Sequence, residues 1–159
     1  MNGSASFDVV IVGGAAVGSA AAYFLAADPQ FDGRLLVLEQ DFSYQRCATE
    51  LSVASVRHQF STPENIRMSM FGSDFVARAP SLLTVDGVAP ALGWREAGYL
   101  FLASPAGLDV LKANHAVQRA EGAQVLLLDP AALRGRFGWL CCDDLAGASL
   151  GLRGEGWLD

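Results

Sequence analysis

A glycine-rich turn near the start of the chain carries the residues with the clearest chemical potential. Gly13, Gly14 and Gly18 surround the predicted start of a helix, where free backbone N–H groups and the positive end of the helix dipole attract phosphate. Gly13 permits a tight turn, and Gly18 permits close packing of the helix on the preceding strand. Glu39 follows about 20 residues on, where a carboxylate accepts hydrogen bonds from ribose hydroxyls. This spacing predicts a nucleotide site.

The elements around this turn have the order that such a site needs. Residues 8–12 form a nearly all-apolar, β-branched run, which predicts a strand that is buried on both faces. The small residues 16–25 predict a helix, and residues 35–38 predict a second strand that ends at Glu39. Together they form a βαβ unit with a nucleotide fingerprint, so we expect a Rossmann-like α/β fold.

One position departs from the fingerprint G-x-G-x-x-G. Counted from Gly13, Ala15 stands where a second glycine would let the backbone approach the phosphates. Its methyl group crowds that approach without blocking it. A buried strand, a glycine turn and a helix give a similar pattern in many α/β proteins, but the second strand and its terminal acid favour the nucleotide site.

A polar segment, residues 40–61, follows the second strand. Loops of this length inside a compact domain are usually functional or disordered. Apolar side chains are interspersed along the segment and argue against disorder. It also carries hydroxyl, arginine, cysteine and histidine side chains, so we expect it to serve a function.

The rest of the chain predicts further elements and a second domain. Thr62 and Pro63 have the residue types of an N-cap and first helical position, and they begin a helix that reaches Pro80. Residues 81–93 contain glycine and proline and are expected to connect two domains. Predicted strands and helices then alternate, with strands at residues 98–103, 124–128 and 145–152 and helices after Ser104 and Asp129.

This order predicts a division of the chain into two parts. Residues 1–80 are expected to be the N-terminal part of a nucleotide-binding domain, and residues 81–159 the start of an α+β substrate domain. No third parallel strand follows soon after the second, although a complete mononucleotide-binding half requires one. We therefore expect an incomplete dinucleotide-binding fold within this sequence.

Composition and charge limit the possible partners. The net charge of −6 disfavours nucleic acid, and no apolar run of about 18 residues predicts a membrane span. The N-terminus lacks a basic signal-peptide region, so we expect a cytosolic location. The three cysteines and two histidines have no metal-ligand spacing, so we expect no metal. The high apolar content of 52% predicts either a well-filled core or a chain that requires partner surface.

These stretches together resemble the D-amino-acid oxidase and sarcosine oxidase family of flavoproteins. The glycine fingerprint is weak alone, but its combination with R-H-Q-F-S-T-P-E-N, G-Y-L-F-L-A and G-E-G-W-L-D is much more specific. The resemblance runs over essentially the whole chain. It implies FAD as cofactor, a Rossmann-like FAD domain interleaved with a substrate domain, and a small-molecule amine or amino acid as substrate. Hydride transfer from the C–H group next to nitrogen would oxidise that substrate.

The resemblance also implies roles for individual residues. The fingerprint residues would hold the FAD pyrophosphate: Gly13, Gly14, Ala15, Ala16, Val17 and Gly18. The adenosine ribose would lie at Glu39 and Gln40. The following loop would pass near the isoalloxazine ring with Arg46, Cys47, Ala48, Thr49 and Ser52. Arg57 would pair with the substrate carboxylate, with a salt bridge as its alternative role, and His58 would tune the flavin.

Three interpretations of function stay open. The first is the N-terminal portion of an FAD-dependent amine or amino-acid oxidoreductase. The second is a truncated, non-catalytic nucleotide-binding fragment or subunit that requires a missing C-terminal half or forms an oligomer. The third is half of an NAD-linked dehydrogenase. The polar segment 40–61 argues against the third, because a nicotinamide Rossmann half usually continues directly into another helix and strand.

Overall fold

A computed structural model of the chain describes residues 6–158, which form a mixed α/β fold. The described strands are β1 (Val9–Val12), β2 (Leu35–Leu38), β3 (Ser55–Val56), β4 (Arg95–Glu96), β5 (Leu100–Ala103), β6 (Val125–Leu128), β7 (Gly147–Gly151) and β8 (Gly156–Trp157). The described helices are α1 (Ala16–Ala27), α2 (Pro63–Leu82), α3 (Leu108–Ala120) and α4 (Pro130–Arg136), and a 3-10 turn, Pro105–Gly107, precedes α3. Over this part of the chain, no helix has the length and apolar character needed to cross a membrane.

The residues group into two compact units. Unit 1 is Met1–Val53 and unit 2 is Ala54–Asp159. Helix α2 belongs to unit 2, because its Ile66 is fully buried in one cluster with Ala123 and Val125. The predicted division at residue 80 concerns the domains of the protein and stays a prediction.

Unit 1 contains the predicted βαβ arrangement. Strands β1 and β2 run parallel, with Val9 opposite Leu35 and Val12 opposite Leu38. Helix α1 connects them and packs on both strands. The small residues of α1 suit this position, since they let the helix axis approach the sheet closely. The predicted strand–helix–strand order is therefore confirmed.

The prediction that the first strand is buried on both faces is wrong for the described residues. Val10 and Val12 are 49% and 84% exposed, whereas Val9 and Ile11 are half-buried. Helix α1 covers the Ile11 face, because a Cβ atom at Gly18 would lie 3.2 Å from Cγ2 of Ile11. Since α1 is the single described helix of unit 1, the opposite face of the strand stays exposed.

Unit 2 contains two antiparallel three-stranded sheets. Their strand orders are β3–β8–β4 and β5–β7–β6, so the central strand of each sheet is its last strand in sequence. Helices α3 and α4 both pack on β6 and β7. The strands predicted within residues 98–103, 124–128 and 145–152 are confirmed with shorter bounds.

The hydrophobic core lies in unit 2. Its larger cluster consists of buried residues from β6, α4 and β7 and from the segment that precedes β7: Leu128, Leu133, Cys142, Ala148 and Leu150. By contrast, Gly14 is the one buried residue among the described residues of unit 1. Unit 2 therefore buries apolar side chains in a core of its own, whereas the described part of unit 1 does not.

Helix α2 starts as predicted and ends later. Pro63 is its first residue and Thr62 its N-cap, although the Thr62 side chain makes no capping hydrogen bond. The helix continues past Pro80 to Leu82, and the N–H group of Leu83 still donates to the carbonyl oxygen of Ala79 at 2.8 Å. Pro80 lies in the last turn, where its missing N–H group removes a single hydrogen bond and the helix tolerates it.

Candidate functional site

The glycine turn of unit 1 has the backbone geometry that the fingerprint predicts. Gly13 has a φ angle of +100°, in the region that favours glycine, and its N–H group donates to the carbonyl oxygen of Leu38 at 2.7 Å. A Cβ atom at Gly18 would collide with the carbonyl oxygen of Gly13. Helix α1 can therefore approach the turn this closely only with glycine at position 18.

The start of α1 leaves backbone donors available to a ligand. Ala15 is the N-cap residue, with extended backbone angles, φ −68° and ψ −170°, and it offers no side-chain acceptor. No acidic residue lies in the first turn. The first N–H groups of a helix have no partner inside it, and the helix dipole adds partial positive charge there. This helix start has the chemistry that an anion requires.

The Glu39 carboxylate lies against the glycine turn. Its Oε2 atom accepts the N–H group of Gly14 at 2.7 Å, and its Oε1 atom accepts the N–H group of Asp41 at 2.8 Å. The backbone hydrogen bond from Asp41 contributes most to holding the pKa of Glu39 below its usual value, and the bond from Gly14 adds to the effect. Each carboxylate oxygen has further acceptor capacity, so a charged carboxylate is fixed beside the turn and remains able to accept hydroxyl groups.

Three adjoining clefts in unit 1 surround the turn and the loop after β2. Their volumes are about 460, 430 and 300 Å³. They are lined by most of the predicted cofactor residues: Gly13, Gly14, Ala15, Ala16, Glu39, Gln40, Arg46, Cys47 and Thr49. The other predicted cofactor residues lie outside these linings: Val17, Gly18, Ala48 and Ser52.

Sequence reasoning missed Tyr44 in this region. Tyr44 lines two of the three clefts, and its hydroxyl group lies 3.2 Å from the position that a Cβ atom at Gly14 would take. Its φ angle of +57° is uncommon for a tyrosine. The residue type gives no signal for this backbone conformation, so the sequence alone offered little basis to single out Tyr44.

Arg57 lies in unit 2, directly after β3. Its guanidinium carbon lies 4.7 Å from the centre of the Phe60 ring and 5.7 Å from the centres of the Tyr99 and Phe101 rings. None of the ion pairs within residues 6–158 includes Arg57, and its buried Nε atom has no hydrogen-bond partner there. Aromatic faces hold a cation without neutralising its charge, so this guanidinium keeps its capacity for an anion.

His58, the second predicted catalytic residue, is buried in unit 2. Its Nε2 atom lies 2.8 Å from the Ser73 hydroxyl, which itself donates to the carbonyl oxygen of Met70. Burial lowers the pKa of His58, while the charge of Glu96 opposes that shift. The Ser73 proton is engaged by Met70, so the imidazole acts as the donor to Ser73. The pair holds the segment after β3 to helix α2.

Sequence reasoning also missed Glu155, a fully buried carboxylate in unit 2. Its Oε1 atom accepts the backbone N–H group of His58 at 2.6 Å, and its Oε2 atom accepts Nε2 of Gln59 at 2.9 Å. Burial raises the pKa of Glu155, and the hydrogen bonds from residues 58 and 59 oppose that rise. A Cβ atom at Gly151 would collide with this carboxylate. The signal in the sequence was an acidic residue flanked by glycines, Gly154-Glu155-Gly156.

The fold and the glycine turn define a nucleotide-binding α/β protein. The chain matches the family model described as FAD dependent oxidoreductase over residues 8–159, and it belongs to that family. This confirms the resemblance drawn from the sequence, and it confirms FAD as the cofactor of the family. Two curated relatives bear the name FAD-dependent oxidoreductase domain-containing protein 1. The protein from Bos taurus is 41% identical over 155 residues, and the protein from Xenopus laevis is 42% identical over 155 residues.

The matches cover nearly all of this chain and a minor part of its relatives. They span 96% of the chain but 32% of the Bos taurus protein and 31% of the Xenopus laevis protein. The structure of L-proline dehydrogenase from P. horikoshii matches with a TM-score of 0.74 and 23% identity, over 94% of this chain and 37% of that one. Glycine oxidase from Geobacillus kaustophilus matches with a TM-score of 0.71 and 23% identity, over 96% and 40%. These likenesses confirm the fold class, a partial mixed α/β fold.

Proposed function

We propose that this chain contributes the nucleotide-binding site and one substrate-binding residue of a flavoprotein that oxidises amines or amino acids. Unit 1 would hold the adenosine diphosphate part of FAD, and Arg57 in unit 2 would bind the carboxylate of the substrate. The observation that carries the proposal is the glycine turn, where the free start of α1 and the fixed Glu39 carboxylate occur together. Family membership supports FAD over NAD as the nucleotide.

The residues of the turn fit the two polar parts of the cofactor. A pyrophosphate would lie at the uncapped start of α1, where backbone donors and the helix dipole favour an anion. Glu39 would accept the ribose hydroxyls with the acceptor capacity that Gly14 and Asp41 leave free. Bound FAD supplies the electron-accepting ring that takes a hydride from the carbon next to the substrate nitrogen.

Arg57 fits the recognition of a substrate carboxylate. A guanidinium presents parallel N–H donors that match the two carboxylate oxygens. Here the cation rests on the rings of Phe60, Tyr99 and Phe101, and no ion pair within residues 6–158 competes for it. We also propose a sarcosine-oxidase-like substrate, a role for His58 in tuning the flavin and a cytosolic location.

The nucleotide assignment is tested by replacing Glu39 in the intact flavoprotein. The substitution Glu39→Ala removes the ribose acceptor, and we expect the flavin content after gel filtration to fall at least about tenfold, the scale of a lost charged hydrogen bond. The matched control is Asp8→Ala, because Asp8 also accepts a backbone N–H group in unit 1, that of Arg34 at 2.7 Å. Equal flavin content in wild type and Glu39→Ala would overturn the assignment.

The substrate contact is tested by Arg57→Lys in the same flavoprotein. Lysine keeps the charge but lacks the two-point contact, so we expect KM to rise for a carboxylate-bearing amine such as sarcosine. An amine without a carboxylate serves as the comparison and should show unchanged kinetics. Identical KM values for sarcosine in both proteins would return Arg57 to a purely structural role.

The second interpretation, a non-catalytic nucleotide-binding fragment, has its own support. The chain spans about a third of the length of the curated relatives, and Val10 and Val12 of β1 are exposed. An exposed apolar sheet face favours association. An amine-dependent oxygen-consumption assay on the 159-residue chain separates the two interpretations, since turnover by this chain alone would exclude the second.

A further inference from the structure

The buried carboxylate of Glu155 has no part in the function proposed so far, although the burial of a carboxylate is costly. Its residue is 0% exposed, and a buried carboxylate is stable only where hydrogen bonds or charges compensate for lost hydration. The sequence provides space for it with glycine at position 151, where a Cβ atom would collide with the Glu155 carboxylate. Such an arrangement calls for a specific role.

Among residues 6–158, every hydrogen bond that the carboxylate accepts comes from the segment that follows Arg57. The backbone N–H group of His58 donates to Oε1 at 2.6 Å, and the side-chain amide of Gln59 donates to Oε2 at 2.9 Å. The same Gln59 amide donates to the carbonyl oxygen of Tyr99 at 2.8 Å. Glu155 thus links the backbone next to Arg57 with Tyr99, the residue directly before β5, whose ring lies near the Arg57 guanidinium.

The backbone of Glu155 reinforces the same connection. Its carbonyl oxygen accepts the N–H groups of Ala97 and Gly98 at 3.1 and 2.9 Å. The charge of Arg57 favours the ionised form of the carboxylate. Through its backbone and its carboxylate, Glu155 joins the segment after β3, the segment between β4 and β5, and its own position directly before β8.

We infer that Glu155 is the positioning residue of the Arg57 guanidinium, holding it on its aromatic rings so that it meets a carboxylate in a fixed orientation. This inference rests on the proposed role of Arg57 in binding the substrate carboxylate. Glu155 acts through the backbone of His58 and the side chain of Gln59 and touches no substrate. Loss of the Glu155 carboxylate should therefore weaken carboxylate binding only while Arg57 supplies its guanidinium.

Acetate binding to the intact flavoprotein tests the inference, with neutral acetamide as the isosteric control ligand. Dissociation constants are measured by ligand-observed NMR titration for wild type, Glu155→Gln, Arg57→Lys and the double variant. Both partners of the Glu155 carboxylate are donors, so a glutamine amide can satisfy only one of them. We expect Glu155→Gln to raise the dissociation constant of acetate about five- to tenfold relative to wild type. In the Arg57→Lys background, the same substitution should raise it by less than about twofold, because the effects of coupled residues are non-additive.

The sign of the change separates positioning from simple electrostatics. Removing a negative charge near Arg57 without any loss of position would strengthen acetate binding, which would overturn the inference. An undiminished effect of Glu155→Gln in the Arg57→Lys background, or an equal loss of acetamide binding, would also overturn it. If Arg57→Lys leaves acetate binding unchanged, the proposed role of Arg57 fails instead.

Two further variants keep the test decisive. Glu121→Gln removes another hydrogen-bonded carboxylate of unit 2, paired with Arg67 at 2.6 Å, and should leave acetate binding unchanged. If Glu155→Gln fails to fold, Gln59→Met removes the amide that links Glu155 to Tyr99 and keeps the side-chain volume. We expect Gln59→Met to weaken acetate binding about twofold or more through the same coupling to Arg57, and unchanged binding would overturn the inference.

Discussion

The two units of the chain place their apolar residues in opposite ways. Unit 2 buries Leu133 and Ile66 completely, whereas unit 1 exposes Val12 to 84% and buries only Gly14 among its described residues. A core of this kind makes unit 2 stable by its own packing. Unit 1 has open clefts and an uncovered sheet face instead. This difference indicates that the exposed surfaces of unit 1 are available to bind other groups, whereas the apolar residues of unit 2 stabilise its own fold.

Their glutamates differ in the same sense. Glu39 lies beside an open cleft, and backbone hydrogen bonds hold its pKa low. Glu155 is fully buried, and burial raises its pKa. Both carboxylates accept backbone N–H groups next to residues proposed to bind a ligand. One is placed to contact a ligand, and the other to hold the residue that does.

The largest expected effect contrasts a core leucine with an exposed valine. Leu133→Ala should lower the free energy of unfolding of the 159-residue chain by about 2–5 kcal/mol, because it leaves a cavity in the core. Val12→Ala should change it by less than about 0.5 kcal/mol. Urea denaturation followed by circular dichroism measures both. A large loss for Val12→Ala would mean that another surface covers this face.

A smaller effect separates two glycines in helices. Gly18→Ala should destabilise the chain by about 1–3 kcal/mol, because the new methyl group meets the backbone of Gly13. Gly72→Ala in α2 should stabilise it by about 0.5–1 kcal/mol, since nothing lies within 4 Å of its Cβ position. Thermal unfolding of both variants gives the comparison. Equal shifts in Tm would refute the close approach of α1 to the glycine turn.

The smallest effect is the pH dependence of the two glutamates. The pKa of Glu155 is raised, so its ionisation costs stability as pH rises above the usual value of 4.5. The pKa of Glu39 is lowered, so its contribution is present above 4.5 and lost as pH falls through the lowered value. The free energy of unfolding is measured for wild type, Glu155→Gln and Glu39→Gln from about pH 3 to about pH 8. The difference between each variant and wild type should change with pH, and the two differences should change in opposite directions. Slopes of the same sign would contradict these environments.

Local signals made unit 1 predictable. The apolar run, Gly13, Gly18 and the terminal Glu39 each act within a few residues or one βαβ unit, so the order and the turn geometry followed from residue types. Burial did not follow, because it depends on which elements cover each face. The apolar residues of β1 would suit a strand that is buried on both faces, yet their exposure alternates along the strand.

Long-range contacts made unit 2 harder to predict. The sequence indicated Arg57 and His58, but their surroundings come from residues far along the chain. Glu155 lies 97 positions from the His58 N–H group that it accepts, and Tyr99 contributes a ring to the Arg57 cluster. Residue spacing carries no record of such pairs. The carboxylate that organises this region was therefore visible only as an acid between glycines.

The strand order of unit 2 also sets the sequence in which the two units can fold during synthesis. The β1–β2 pair is complete once residue 38 has left the ribosome, because Val12 pairs with Leu38 at its far end. Both sheets of unit 2 wait for their central strands, β7 and β8, which follow the other described strands in the sequence. Until then β3, β4, β5 and β6 have exposed edges, which are prone to wrong pairing. The nascent chain should therefore depend most on chaperones between the synthesis of β3 and that of β8.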